Sequence, residues 1–280
     1  MPSTKPSTNL TKTLFRKHVA LPQDHGSWAF LISPLVVGLV AGHRWSAATW
    51  WLIVGALAAF FLRQPITILV KVYARRRSRR DLPAALFWSG LYTLIGLIAA
   101  WQLARAGAGY LLWLAAPGIP VFLWHLWLVS RRAERRRMDV EIVASGVLAL
   151  SAPAALWLAQ GQMTAAGWLL WLLLWFQAAA SIVYVYLRLE QRGWKELPPV
   201  NQRLRAGWRA LLYATFNVLA VIILGLTGVV SPWLWLAYAV QWGETVWGVL
   251  HPAIHTKPTT LGFRQLFFST LFTLIFILTW

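Results

Sequence analysis

The chain contains no cysteine, which excludes structural disulfides and thiolate metal sites. Acidic residues are scarce as well: eight Asp and Glu stand against 26 Lys and Arg, and Asp24 is the one acid before position 80. Only 12% of residues are charged, where a soluble domain carries about 25%. So little polar surface cannot cover a water-soluble fold. What is present instead is apolar: 59% hydrophobic residues and a mean hydropathy of +0.57 over 280 residues. Apolar stretches of about 20 residues recur along the chain, the length a helix needs to cross a bilayer. The net charge of +18 would suit nucleic acid only if gathered on a folded, aromatic-bearing surface. Its distribution follows membrane topology instead, so no nucleic-acid partner is expected.

Nine spans are predicted, over 27–43, 46–73, 82–104, 110–129, 140–160, 163–187, 207–228, 231–250 and 261–280. The first is short, and Arg63 and Pro65 interrupt the second. The connecting segments alternate in charge. With Arg209 and Arg264 counted at their helix ends, 23 Lys and Arg lie on one side, two (Arg44 and Arg105) lie on the other, and Arg63 lies within a span. Positive loops stay cytoplasmic, which places the N-terminus inside and Trp280 outside in an inner-membrane, multi-pass protein. The fold class is therefore all-α and polytopic, with residues 21–280 as a single transmembrane domain. Residues 1–20 read as a disordered polar tail leading into a short basic segment at the membrane surface; lacking an apolar core, they do not read as a cleaved signal peptide. Asp81 and Asp139 are expected as N-caps of inside-to-outside helices, with neighbouring arginines facing anionic lipid head groups. Among the 20 Trp, those at 45, 50, 51, 101, 113, 168, 171, 233, 235 and 280 fall at outer helix ends, where an indole prefers the interface.

Polar groups inside the spans are the functional candidates, because burial in lipid is costly. In "AVQWGETVWGVLHP", Gln241, Glu244, Gly248 and His251 share one helical face. At 1.5 Å per residue, Glu244 lies about 20 Å and Arg63 about 25 Å from the outer surface, so an Arg63–Glu244 pair is expected at similar depth. Gln64, Gln177 and Asn217 fall in or near the same inner half, and Tyr184, Tyr186 and Arg188 close the sixth span there. Such groups either line a polar cavity open to the cytoplasm or hold the bundle together through interhelical bonds.

The stretch "LPQDHGSWAFLISPLVVGLVAG" sets Asp24 and His25 at the cytoplasmic mouth of the first span. Asp24 or Ser27 would serve as an N-cap. Alternatively Asp24 and His25 join His251, His255, Lys257, Arg264 and Gln265 on one inner surface as a site. A metal is not favoured, since Pro252 breaks the His251–His255 helical spacing, and no cofactor is identified.

These residues resemble the YwiC-like family of integral membrane proteins, which opens with a "QHGAW" motif entering an apolar helix. Here Asp24 stands inside the motif and Ser27 takes the Ala place; "RQP" at 63–65 and "GFRQ" at 262–265 add weaker support. The resemblance implies a polytopic membrane protein and brings no reaction with it. The nine-span layout is also similar to that of UbiA-type prenyltransferases, whose Asp-rich motifs after spans two and six hold magnesium and a prenyl diphosphate. The matching places here carry Arg63, Lys71 and Arg188 instead. Mg²⁺ needs carboxylate oxygens, whereas arginines hold phosphate or carboxylate directly.

Three functions follow as expectations. The first is a UbiA-like bundle whose cytoplasm-facing cavity takes an isoprenoid, a quinone or another anionic amphiphile; if it is an enzyme, it is a transferase without the Asp–Mg motifs. The second is a transporter of a small anion or metabolite, which helices broken at matching places in two halves would favour. The third is a non-catalytic membrane scaffold or assembly subunit, with Glu244 and Arg63 fully packed. Membrane lipids, through their anionic head groups at the basic loops, are the expected partners of all three.

Overall fold

The computed structural model describes residues 14–22, 25–133 and 137–280, with only the backbone of His25, and all regular structure among them is helical. In chain order the α-helices are α1 (Lys17–Ala20), α2 (His25–Gly42), α3 (Ala47–Tyr73), α4 (Leu82–Arg105), α5 (Ala115–Ser130), α6 (Met138–Ala149), α7 (Ser151–Gln160), α8 (Ala165–Gln191), α9 (Val200–Leu226), α10 (Trp235–Leu250) and α11 (Pro258–Thr279). Short 3₁₀ turns precede α4 and α5. Each of the nine predicted spans coincides with a helical stretch. Among the described residues seven stretches are long and apolar enough to cross a membrane: 47–73, 79–105, 109–130, 138–160, 165–191, 200–226 and 258–279. The chain is thus a multi-pass membrane protein. The first and eighth predicted spans are shorter, at 18 residues for α2 and 16 for α10. At 1.5 Å per residue they reach about 27 and 24 Å, against a hydrocarbon core of about 30 Å.

The helices form two compact units. In the first, which holds α1, α3, α4 and α5, the long helices α3 and α4 lie side by side. Ala58, Phe60, Ile68 and Val72 of α3 are buried, as are Ala84, Ala85 and Ala99 of α4. Pro65 does not break α3, which runs through it for 27 residues. The basic segment that leads into the first span is tied down. Val19 is fully buried, the Trp88 indole donates to the Leu14 carbonyl, and the Tyr92 hydroxyl donates to that of Ala20. Asp81 gives no capping bond to α4. Its carboxylate accepts from Arg16 Nη1 at 2.6 Å and Arg77 Nε at 2.7 Å, because two guanidiniums within reach outbid a neutral amide. Asp139 lies inside the first turn of α6, paired with Arg137, rather than capping it.

The second unit holds α2 and α6 to α11. Its core gathers Leu170, Leu173 and Leu174 of α8 with Val37, Leu156, Tyr238, Phe272 and Phe276. The fifth predicted span is broken into α6 and α7 at Leu150. Pro153 supplies no N–H for the carbonyl of Ala149 and crowds it, and the Ser151 hydroxyl satisfies Leu148 and Leu31 carbonyls there. The helices α2 and α7 meet at Gly38 and Gly42. A Cβ on Gly38 would lie 2.2 Å from the Ala152 carbonyl oxygen, and one on Gly42 2.6 Å from the Ala159 Cβ. This is a Gly-x-x-x-Gly approach onto an alanine face, the close backbone contact that drives helix association in lipid. Of the belt tryptophans, Trp45, Trp50, Trp101, Trp113, Trp168 and Trp233 are exposed at helix ends or connections. Trp171 instead turns its indole N–H onto the Gly146 carbonyl next to the α6–α7 break.

Candidate functional site

At the end of the second unit where α8 and α10 finish and α11 begins, an apolar helix bundle holds a polar cluster. The helical spacing of α8 brings Gln177, Ser181, Tyr184 and Arg188 onto one face, and all four are buried. Opposite them α10 presents Gln241, Glu244 and Thr245, also buried. The Glu244 carboxylate is saturated. Arg264 of α11 donates from Nε to Oε1 at 2.6 Å and from Nη2 to Oε2 at 2.7 Å, and the Tyr184 hydroxyl adds a bond to Oε1 at 2.6 Å. The two parallel bonds make the bidentate geometry that binds guanidinium to carboxylate most strongly. Depth along the helices suggested Arg63 as the cation; the partner is Arg264. Arg63 belongs to the first unit.

Arg188 is the second guanidinium of the cluster and is only 5% exposed. Its Nη1 donates to Gln191 Oε1 (2.8 Å) and to the carbonyls of Gly248 (2.7 Å) and His251 (2.8 Å). Gln191, fully buried, adds its own bonds to the Gly248 carbonyl and from the Ala253 N–H. Arg188 therefore caps the C-terminal end of α10, where unpaired carbonyls carry the negative end of the helix dipole. No carboxylate among the described residues pairs with it, and its Nε is buried without a hydrogen-bond partner. Trp247 sits between the two arginines, with Arg264 3.8 Å and Arg188 5.9 Å from its ring centre. The exposed His251 stacks on the same ring at 4.8 Å. Close packing requires glycine at 248, where a Cβ would lie 2.2 Å from the Tyr184 hydroxyl.

The structure thus joins Tyr184, Arg188, Gln241, Glu244, His251 and Arg264 in one neighbourhood. Other expected site residues do not join it. Asn217 donates its amide to the Phe176 carbonyl, a bond between α9 and α8. Lys257 is exposed at the start of α11. Gln64, in the first unit, donates to the His18 carbonyl. Asp24 and the His25 side chain lie outside the described residues, so their placement as cap or site is not described. Sequence reasoning missed Gln191 and Trp247. Trp247 shares a helical face with Glu244 and His251 at spacings of three and four, a signal masked by its resemblance to a belt residue.

Residues 21–156 match the YwiC-like protein family. The resemblance read from the opening motif is borne out over just under half of the chain. The YwiC-like stretch contains Asp24, His25, Arg63 and Gln64 and ends within α7; the cluster of Tyr184, Arg188, Glu244 and Arg264 lies beyond it. The chain is also 24% identical over 208 residues to the Uncharacterized protein YwiC of Bacillus subtilis (strain 168), covering 69% of this chain and 81% of that one. No solved structure matches.

Proposed function

We propose that this protein is an inner-membrane bundle that binds the anionic head group of an amphiphile at Arg188, Trp247 and Arg264. The nine helical stretches all cross, and the site faces the cytoplasm. The observation that carries the reading is the charge balance of the cluster. Arg264 neutralises Glu244, while Arg188 keeps a buried positive charge that the end of α10 offsets by roughly half an elementary charge. A buried cation without a counter-ion is costly, and a phosphate or carboxylate would relieve that cost through the guanidinium fork. An apolar tail has a surface to lie on, because Phe263 and Phe267 flank Arg264 on α11 and are 74% and 62% exposed. Isoprenoid phosphates and anionic phospholipids both have this chemistry.

Lipid mass spectrometry on gently purified wild type beside Arg188→Gln tests the reading, with Arg188→Lys as a variant that keeps the charge. An anionic amphiphile that co-purifies with wild type, is reduced in Arg188→Lys and is lost in Arg188→Gln is the expected result. Equal retention of the same lipids in all three samples would overturn it. The scaffold reading would then stand, favoured by the saturation of Glu244 and the tight fit at Gly248.

A further inference from the structure

The helix α2 carries Pro34 in its interior. Proline has no N–H, so the carbonyl of Phe30, four residues earlier, loses its helical donor. In lipid such a group must find another partner. A recess of about 10 Å³ lies at this point, lined by Phe30, Ser33 and Pro34 of α2, Leu174 and Gln177 of α8, and Ser269 of α11. That is the room one water needs.

The lining is supplied with unused hydrogen-bonding capacity. Gln177 is 8% exposed as a residue, and its side-chain amide bonds to no other described residue, only its backbone carbonyl accepting from Gln241. The Ser269 hydroxyl likewise makes no hydrogen bond among the described residues. Thr273 commits its hydroxyl hydrogen to the Ser269 carbonyl at 2.8 Å. In the 2.5 Å contact between Ser33 and Thr273, Ser33 must therefore be the donor, which leaves the Ser33 oxygen free to accept. The residues that line this water-sized space thus carry one freed carbonyl, one hydroxyl acceptor, one hydroxyl donor and one carboxamide. A buried water makes about three bonds to such groups, and ordered water is one of the devices that accommodate proline within spanning helices.

We infer that a single ordered water occupies this recess and joins α2, α8 and α11 at the Pro34 discontinuity. It donates to the Phe30 carbonyl and to the Gln177 oxygen or Ser33, and it accepts from Ser269. The inference is independent of the anion-binding reading, since it rests on none of Arg188, Trp247 and Arg264.

Hydroxyl-radical footprinting of the full chain, with mass-spectrometric readout, tests it, because radicals generated from a trapped water oxidise the side chains that touch it. Leu174 and Leu173 are neighbours and equally enclosed, at 2% and 1% exposed, yet only Leu174 lines the recess. Leu174 is expected to be oxidised several-fold faster than Leu173 in wild type. Ser269→Val fills the space and removes a donor, and should bring Leu174 down to the Leu173 rate; Gln177→Leu gives the same reading if the valine variant does not fold. Equal rates for Leu173 and Leu174 in wild type, or a Leu174 rate unchanged in a folded variant, would overturn the inference.

Discussion

At the scale of single residues, the ion pair at Glu244 is asymmetric. The Glu244 side chain is 4% exposed and that of Arg264 32%. Removing the arginine strands a carboxylate in the bundle, whereas removing the carboxylate leaves a guanidinium that can still reach head groups or water. Arg264→Gln should therefore cost about 3–5 kcal/mol of stability, the loss typical of a broken buried pair. Glu244→Gln should cost about 1.5–3 kcal/mol, the range for hydrogen bonds to charged groups. Thermal unfolding in detergent, followed by the intrinsic tryptophan signal, measures both; equal losses would refute the asymmetry. The sequence made Glu244 legible as a lone acid inside a span, and its depth was readable by counting helical rise. Its partner was not legible, because rise along an axis carries no information about which helix stands next to which. Arg264 was assigned to a helix end, and only the turn through Pro252 to Pro258 brings it back over Glu244.

At the scale of elements, α2 and α7 illustrate what spacing can and cannot announce. The pattern "GLVAG" at 38–42 is a small-residue motif at the helical repeat, and that spacing alone marks a contact face. Its partner, the alanine row Ala152, Ala155 and Ala159, falls in a stretch read as one unbroken span. Its break at Leu150 follows from Pro153, a residue whose consequence depends on what surrounds it. Because the Gly38 Cβ position meets backbone atoms of Ala152 rather than a movable side chain, the helices cannot yield without separating. Gly38→Val should therefore cost about 3 kcal/mol, the upper end of ordinary overpacking. Gly96, whose Cβ position meets nothing within 4 Å, is the control on another helix, and Gly96→Val should be nearly neutral. A comparison of melting temperatures decides this, and similar shifts for the two variants would mean that α2 and α7 are not packed backbone to backbone. Helix ends show another compromise. His43, Arg75 and Arg132, just past the ends of α2, α3 and α5, adopt left-handed conformations, with φ of 53°, 54° and 61°, where glycine is the usual choice. Arg75 and Arg132 belong to the basic loops.

At the scale of the whole molecule, the distribution of charge is the strongest statement the sequence makes, and it bears on the two shorter helices. A juxtamembrane Lys or Arg gains about 1 kcal/mol near an anionic leaflet, so the split of 23 against two that nine crossings would produce would favour one orientation. Among the described residues seven stretches suffice in length to cross, and those of α2 and α10 decide whether nine do. The loop charges argue that they cross, because otherwise the Lys and Arg of the connections would fall on both sides. The absence of cysteine makes the test direct, since single cysteines introduced at exposed positions between the spans or before the first report sidedness to an impermeant thiol reagent in intact cells. Cysteines at Ser46, Ala106, Gln162 and Val229 should be labelled from outside, and those at Lys17, Ser78, Lys195 and Lys257 should be protected until the membrane is opened. The informative comparisons are Lys17 with Ser46 across α2, and Val229 with Lys257 across α10. If Lys17 and Ser46 report the same side, α2 does not cross. If Val229 and Lys257 report the same side, α10 does not, and the polar face of Glu244 and Arg188 then belongs to a helix that enters the bilayer without traversing it. Opposite sides in both pairs would establish nine crossings and place the Arg188 cluster at the cytoplasmic surface.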